Sequence, residues 1–193
     1  LVTGTGFATH DLQCIRQQLR DDWDVRLTDV TGQAAVLTLM GPRAREVLAA
    51  VSDDDVSGQA LPFSSVGEIR VAGCRLRALR VSYVGELGWE LHHPIDRMPE
   101  LYDALVAAGE PHSMVHFGSY AMNVMRIEKA YKAWGGELTT EITPIEAGLD
   151  RFVDLDTPGR DFLGRDATLA RRATAGPDLT GLDMLLVYCE VDA

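Results

Sequence analysis

The sequence predicts an α+β fold, an antiparallel sheet with helices on one face. Three observations predict it. Apolar and polar residues alternate over 25–30, 66–71 and 74–83, the period of a half-buried strand, and a further strand runs through Trp89-Glu90-Leu91. Apolar residues recur at helical spacing over 9–20, 42–51 and 99–108. The order over 25–109 is strand, helix, strands, helix. The closest strand pair is joined by Ala72-Gly73 alone, which only an antiparallel pair allows.

Each element has its own local reason. Thr3-Gly4-Thr5-Gly6 reads as a turn, and Thr9 as the N-cap of a helix to about Arg20 whose Leu12, Ile15 and Leu19 share a face. Val25–Val30 alternates as a strand, and Gln33–Met40 is a second, more buried one. Gly41-Pro42 opens a helix to about Val51, with Pro42 at the first helical position, where its missing N–H is harmless. Ser52-Asp53-Asp54-Asp55 reads as a solvated loop, since no glycine or glutamate follows at calcium-loop spacing.

Val66–Val71 and Cys74–Tyr83 then form the hairpin. In its second strand Arg75, Arg77, Leu79 and Val81 would share a face, with Arg80 and Ser82 out of phase, so a β-bulge near Ala78-Leu79 is expected. The stretch Tyr83-Val84-Gly85-Glu86-Leu87-Gly88-Trp89-Glu90-Leu91 follows: a strand enters, two glycines turn the chain, and a second strand leaves carrying Glu90. Such glycines serve an ordinary hairpin, or let a ligand approach the backbone. His92 and His93 are adjacent on a strand and point to opposite faces, so no metal site is expected. Pro99–Ala108 is an amphipathic helix with Leu101, Leu105 and Ala108 on its apolar face and Gly109 as its C-cap.

Phe117 to about Tyr131 reads as a long helix, with Ala121, Val124, Met125, Glu128 and Tyr131 on or near one face and Arg126 beside it. Glu128 and Lys132 have the spacing of a surface ion pair. Trp134-Gly135-Gly136 ends the helix. Thr143-Pro144-Ile145-Glu146 is a capping box that predicts a short helix. Phe152–Leu155 reads as a strand, Asp161–Ala173 contains a helix that turns basic at Arg171-Arg172, and Ala175–Asp178 is a linker. Leu185–Val191 reads as a last strand. There is no internal repeat and no low-complexity tract.

Composition bounds the function. At 193 residues the chain holds one domain or two small ones, and 46% hydrophobic with 24% charged residues permits a buried core. The net charge of −11 disfavours nucleic acid and anionic membrane as partners, because either needs a basic face. A small anion held by local arginines stays open. Cys14, Cys74 and Cys189 lie far apart and form no ligand cluster, the usage of a reducing compartment. No apolar run approaches the roughly 18 residues that span a bilayer, and no signal peptide is visible. The first residues read like a strand already under way, and the last strand has nothing after it to pair with, so a piece of a longer protein is expected.

The motifs resemble a known family. Tyr83-Val84-Gly85-Glu86-Leu87-Gly88-Trp89-Glu90 resembles the signature of the folate-dependent aminomethyltransferases, the T-protein of the glycine cleavage system. Arg126-Ile127-Glu128-Lys129-Ala130-Tyr131-Lys132-Ala133-Trp134-Gly135 with Thr143-Pro144-Ile145-Glu146-Ala147-Gly148-Leu149 is similar to the C-terminal folate domain of sarcosine and dimethylglycine dehydrogenases. Gly41-Pro42-Arg43-Ala44-Arg45 and Phe162-Leu163-Gly164-Arg165 also fit, so the resemblance spans nearly the whole chain.

The resemblance implies a three-subdomain fold around a tetrahydrofolate site. It assigns 1–23 and 111–176 to a folate-binding subdomain, 24–110 to an α+β subdomain, and 177–193 to a linker and the start of a barrel. It implies capture of a one-carbon unit from a glycine, sarcosine or dimethylglycine type of donor as 5,10-methylenetetrahydrofolate. Tyr83 and Glu90 match the folate-contacting tyrosine and glutamate, Arg126 the helix arginine near the site, and Trp134 an aromatic at its rim. A carboxylate such as Glu90 suits the donor-rich edge of a pterin, and Arg126 suits a carboxylate of folate or donor. Read without the resemblance, Tyr83 is equally a half-buried strand aromatic, Arg126 a partner for Glu128 or Asp150, and Trp134 a packing residue. The family's catalytic aspartate is expected upstream of Leu1 and most of the barrel beyond Ala193, so this chain alone is expected not to turn over. FAD is expected only in a separate domain or partner oxidoreductase, because Thr3-Gly4-Thr5-Gly6-Phe7 is no dinucleotide fingerprint. The implied location is the cytoplasm, or the mitochondrial matrix in a eukaryote. The alternatives within the same fold are a non-catalytic folate-binding or scaffold module and a folate-dependent demethylase.

Overall fold

The stretch that reads as a hairpin forms one. In the computed structural model, which describes residues 1–182 and 184–187, Val66–Val71 (β2) and Cys74–Leu79 (β3) pair antiparallel from Val66↔Leu79 to Val71↔Cys74. Ala72 and Gly73 between them both take positive φ, 46° and 73°, as the turns that match strand twist require. β3 also pairs antiparallel with Gly88–Pro94 (β4) through Arg77↔His92, Ala78↔Leu91 and Leu79↔Glu90. Ala34–Met40 (β1) completes a four-stranded sheet in the order β1-β4-β3-β2.

The α+β class follows from how this sheet is covered. Cys74, Leu76 and Ala78 are buried while Arg75 and Arg77 are exposed, so one face is packed and the other wet. Ile69 and Val71 of β2 and Trp89 and Leu91 of β4 join the buried set. Ala44–Val51 (α2) buries Ala44, Val47 and Leu48, and Met98–Gly109 (α3) buries Leu101 and Leu105 and packs against α2. Full burial of a leucine such as Leu48 or Leu101 contributes about 1.5–3 kcal/mol.

The chain divides into two compact units, one of residues 1–39, 43–81 and 88–113, the other of 40–42, 82–87 and 114 onward. The first holds the sheet with α2, α3 and the N-terminal helix Ala8–Gln18 (α1). The second holds Ser119–Glu128 (α4) and Arg165–Ala175 (α5), joined by turns. No helix among the described residues is long and apolar enough to cross a membrane. Cys14 is an exposed thiol and Cys74 a buried one; Cys189 lies outside the described residues.

Several local expectations are corrected in the first unit. Val25–Val30 is not a strand. Asp29 accepts from the N–H and hydroxyl of Thr31 at 2.9 and 2.6 Å, and that local turn competes with extended pairing. Thr9 is no N-cap, because a 3-10 turn over Thr5–Phe7 runs straight into α1 and Phe7 takes that position. α2 begins at Ala44 rather than at Pro42. Gly41 at φ 134° and Pro42 form a separate turn, and Arg43 is the N-cap. The expected bulge is absent: β3 stays in register to Leu79, and Val81 N–H then bonds to Leu79 C=O at 2.9 Å. That three-residue turn at Arg80 resolves the change of phase. Gly109 is helical at φ −81°, and Ser113 takes the positive φ instead.

The second unit carries further corrections. α4 ends at Glu128, not Tyr131, because Ala130 takes φ 56° while the N–H of Tyr131 bonds to Arg126 C=O and that of Ala130 to Ile127 C=O. This is a Schellman stop built on alanine. Of α4 only Arg126 is buried, and Val124 is exposed, so the expected apolar face is not its packed face. The capping box forms, with Thr143 N–H and hydroxyl both donating to Glu146 at 2.8 Å, but no helix follows. Gly148 at φ 63° stops it after one turn, with Leu149 N–H on Pro144 C=O at 2.8 Å. Phe152–Leu155 is not a strand: Asp150–Phe152 is a 3-10 turn, and Asp154 accepts from Thr157. α5 starts at Arg165, after Gly164 at φ 90°. Of the expected strand Leu185–Val191, residues 185–187 are not in a strand and 188–191 lie outside the described residues.

Candidate functional site

The turn that carries Tyr83 is fixed by a close approach. Gly85 sits at φ 72°, and a Cβ there would overlap Lys129 Cγ and lie 2.8 Å from its Cδ. Only glycine meets both demands. Lys129 extends past it to Glu86, with Nζ and Oε1 3.9 Å apart.

Tyr83 is half-buried, its hydroxyl donating to the Lys132 carbonyl at 2.9 Å. Its ring stacks on that of Tyr131, with centroids 6.3 Å apart and planes 20° from parallel. The bond leaves the phenol oxygen its acceptor capacity. Tyr83 therefore clasps the loop that follows α4.

Arg126 holds the same loop as well. It is 5% exposed, and four of its hydrogen bonds go to the protein. Nε donates to Asn123 Oδ1 at 2.8 Å, Nη1 to the Tyr131 carbonyl at 2.7 Å and to Glu137 Oε2 at 2.9 Å, and Nη2 to Glu137 Oε1 at 3.3 Å. Of the five N–H donors of the guanidinium, these bonds occupy four among the described residues. The partner is Glu137, not Glu128 or Asp150. Glu137 also accepts from Ala133 N–H at 2.8 Å. That backbone bond first, and Arg126 second, hold its carboxyl below the usual carboxylate range. The loop from Tyr131 to Glu137 thus has two carbonyls, of Tyr131 and Lys132, and the N–H of Ala133 fixed by three side chains. A cleft of about 210 Å³ opens beside it, lined by Arg126, Tyr131, Lys132, Glu137, Leu186 and Val187.

The other two sequence candidates stand differently. Trp134 is 53% exposed on this loop, next to the isolated bridge Trp134↔Leu138. Glu90 belongs to the first unit, on β4 opposite Leu79. Its Oε2 lies 3.1 Å from His92 Nε2, and its side chain is 32% exposed. His93 is buried, its Nδ1 2.8 Å from the Pro94 carbonyl. Among the described residues no group of His, Cys, Asp or Glu could hold a metal ion.

Sequence reasoning named Tyr83 and Arg126 as candidates but did not pair Arg126 with Glu137 or Asn123. A buried arginine demands a carboxylate, and the glutamate after Gly135-Gly136 was the available signal.

Comparison with known proteins adds the family context. The family described as the GCVT N-terminal domain matches residues 1–157. Human mitochondrial dimethylglycine dehydrogenase is 40% identical over 168 residues, covering 86% of this chain and 19% of that protein. Mouse mitochondrial sarcosine dehydrogenase is 39% identical over 175 residues, 90% of this chain and 19% of that one. An aminomethyltransferase of Shouchella clausii is 33% identical over 187 residues, 96% of this chain and 50% of that one. The chain therefore spans about a fifth of the length of the two dehydrogenases it matches.

Proposed function

The chain belongs to the GCVT N-terminal domain family, and on that premise we propose that it forms the tetrahydrofolate-binding part of an aminomethyltransferase-type enzyme. The donor is an N-methyl or aminomethyl compound of the dimethylglycine or sarcosine type, and its one-carbon unit is captured as 5,10-methylenetetrahydrofolate. The division into folate-binding residues 1–23 and 111–176, an α+β subdomain 24–110 and a linker from 177 belongs to this reading. So do a flavin oxidoreductase domain or partner that carries FAD, and a mitochondrial matrix location if the source is a eukaryote.

The observation that carries the reading is the clasped loop 131–137 with Tyr83. The residues fit a reduced pterin. Glu90 keeps one carboxylate oxygen beyond its contact with His92 and is accessible to donors. Tyr83 keeps an acceptor lone pair and a half-buried ring for stacking. Trp134 offers an accessible aromatic surface. Arg126, with most of its donors held by Asn123, Tyr131 and Glu137, orders the loop. Tetrahydrofolate, when bound, supplies the nitrogens that accept the carbon; these residues bind and orient it.

Calorimetric titration of the chain with 5-formyltetrahydrofolate tests the proposal. Saturable binding is expected. Glu90→Ala should weaken it by about 1.5–3 kcal/mol, the worth of a hydrogen bond to a charged group. Tyr83→Phe separates the hydroxyl from the ring. A well-folded chain that does not bind, or an affinity unchanged by Glu90→Ala, would remove the site from these residues.

A further inference from the structure

Trp89, on β4, is fully buried at 0% exposure. Two guanidiniums lie over its ring. Arg45, from α2, has its Cζ 5.2 Å from the ring centroid, and Arg80, from the turn that ends β3, has its Cζ 4.9 Å away. The two cations are therefore no more than about 10 Å apart, and burial first, then the charge of Arg45, lower the pKa of Arg80. Cation–π contact stabilises each of them but neutralises neither.

Their hydrogen bonds leave the charge uncompensated. Nη1 of Arg45 bonds to the Val56 carbonyl, and Nη1 of Arg80 to the Gly88 carbonyl at 3.1 Å. Both acceptors are neutral. Among the described residues no carboxylate pairs with either arginine. Arg43 and Arg75 do have acids, Glu46 and Glu68. With 29 acidic residues against 18 basic ones, the lack is not a shortage of acids. Nη2 of Arg45 and of Arg80 makes no hydrogen bond among the described residues, and both residues are half-buried. Arg80 Nε and Trp89 Nε1 are buried donors without an acceptor among the described residues. The cluster is rich in donors and holds no carboxylate among the described residues.

We propose that Arg45 and Arg80 form an anion site at the rim of Trp89, taking the oxygens of one carboxylate, phosphate or sulfate group on their Nη2 donors. Guanidinium N–H groups match the spacing of such oxygens, and charge-assisted bonds are the strong ones. The site lies within the first unit and stands independently of the folate reading.

The test is the melting temperature of the chain in low-millimolar phosphate or glutarate, against sodium chloride of matched ionic strength. A saturable rise is expected, about 3–5 °C at ten times the half-saturating concentration. Response to phosphate alone, or to glutarate alone, identifies which class of oxyanion the site takes. The rise should vanish in Arg80→Gln and in Arg45→Gln. Gly58→Asp is the second variant: a Cβ there would lie 3.9 Å from Arg45 Nη2, so the new carboxylate would occupy the site. It should raise the melting temperature in chloride and blunt the anion response. A response that does not saturate, persists in the arginine variants, or is unchanged in Gly58→Asp overturns the proposal.

Discussion

Arg126 is a charged side chain with 5% of its surface exposed, and Glu137 is what makes that burial tolerable. A guanidinium loses its hydration when buried and needs a carboxylate and further acceptors in return. Glu137→Gln keeps the shape and removes the charge. The expected loss is about 1.5–3 kcal/mol, read as a fall in the urea midpoint at unchanged slope. A midpoint equal to the wild type would mean that Asn123 and the Tyr131 carbonyl suffice. Gly85 makes the same kind of argument sterically. Gly85→Ala should cost roughly 1–2 kcal/mol for its φ alone, plus the overlap with Lys129. In a Lys129→Ala background only the φ cost should remain, and equal losses in both backgrounds would show that Lys129 yields freely.

At the scale of elements, stops matter as much as starts. α4 is stopped by Ala130 at φ 56°, a conformation glycine adopts without penalty. Ala130→Gly should therefore stabilise the chain by about 1 kcal/mol, which the urea midpoint also reads; a loss would mean that the alanine methyl packs usefully. The turn at 143–149 has its own signature. Glu146 has its carboxyl lowered to about 2, by the Thr143 N–H first, then by Arg171, then by the Thr143 hydroxyl. Its folded pKa lies below the unfolded value of roughly 4.3. The stabilisation is thus fully present above that value and is lost as the pH falls toward about 2. Glu146→Gln should flatten that part of the plot of melting temperature against pH. An unchanged acid limb would assign the acid loss to other carboxylates.

At the scale of the whole molecule, the two units are held by different forces. Most of the buried apolar residues named among the described ones, from Leu39 and Leu48 to Leu91, Leu101 and Leu105, belong to the sheet unit. The second unit has Val84, Ile145, Ala147, Leu155 and Ala175, and relies on networks such as Arg126–Glu137 and Arg171–Glu146. Polar networks contribute less net stability than apolar burial, because folding only exchanges them for water. Native-state hydrogen exchange should accordingly find the amides of β2, β3, β4 and α2 slower than those of α4 and α5. Equal protection in both would show a single cooperative unit.

Local chemistry alone determined the β2–β3 hairpin with its Ala72-Gly73 turn, the inward faces of α2 and α3, the capping box at Thr143, and the motifs that mark the family. Each rests on neighbours within a few residues, which the sequence displays directly. The tertiary structure decided the rest. Val25–Val30 alternates like a strand but makes a local turn instead, and pairing needs a partner that periodicity does not specify. Met125 and Val124 look like core, yet α4 buries Arg126 because Glu137, eleven residues on, comes back to meet it. Tyr83 finds its acceptor 49 residues away, and Glu146 its arginine 25 away. Which polar groups meet across such separations depends on the packing of whole elements, and that is where the candidate site was made.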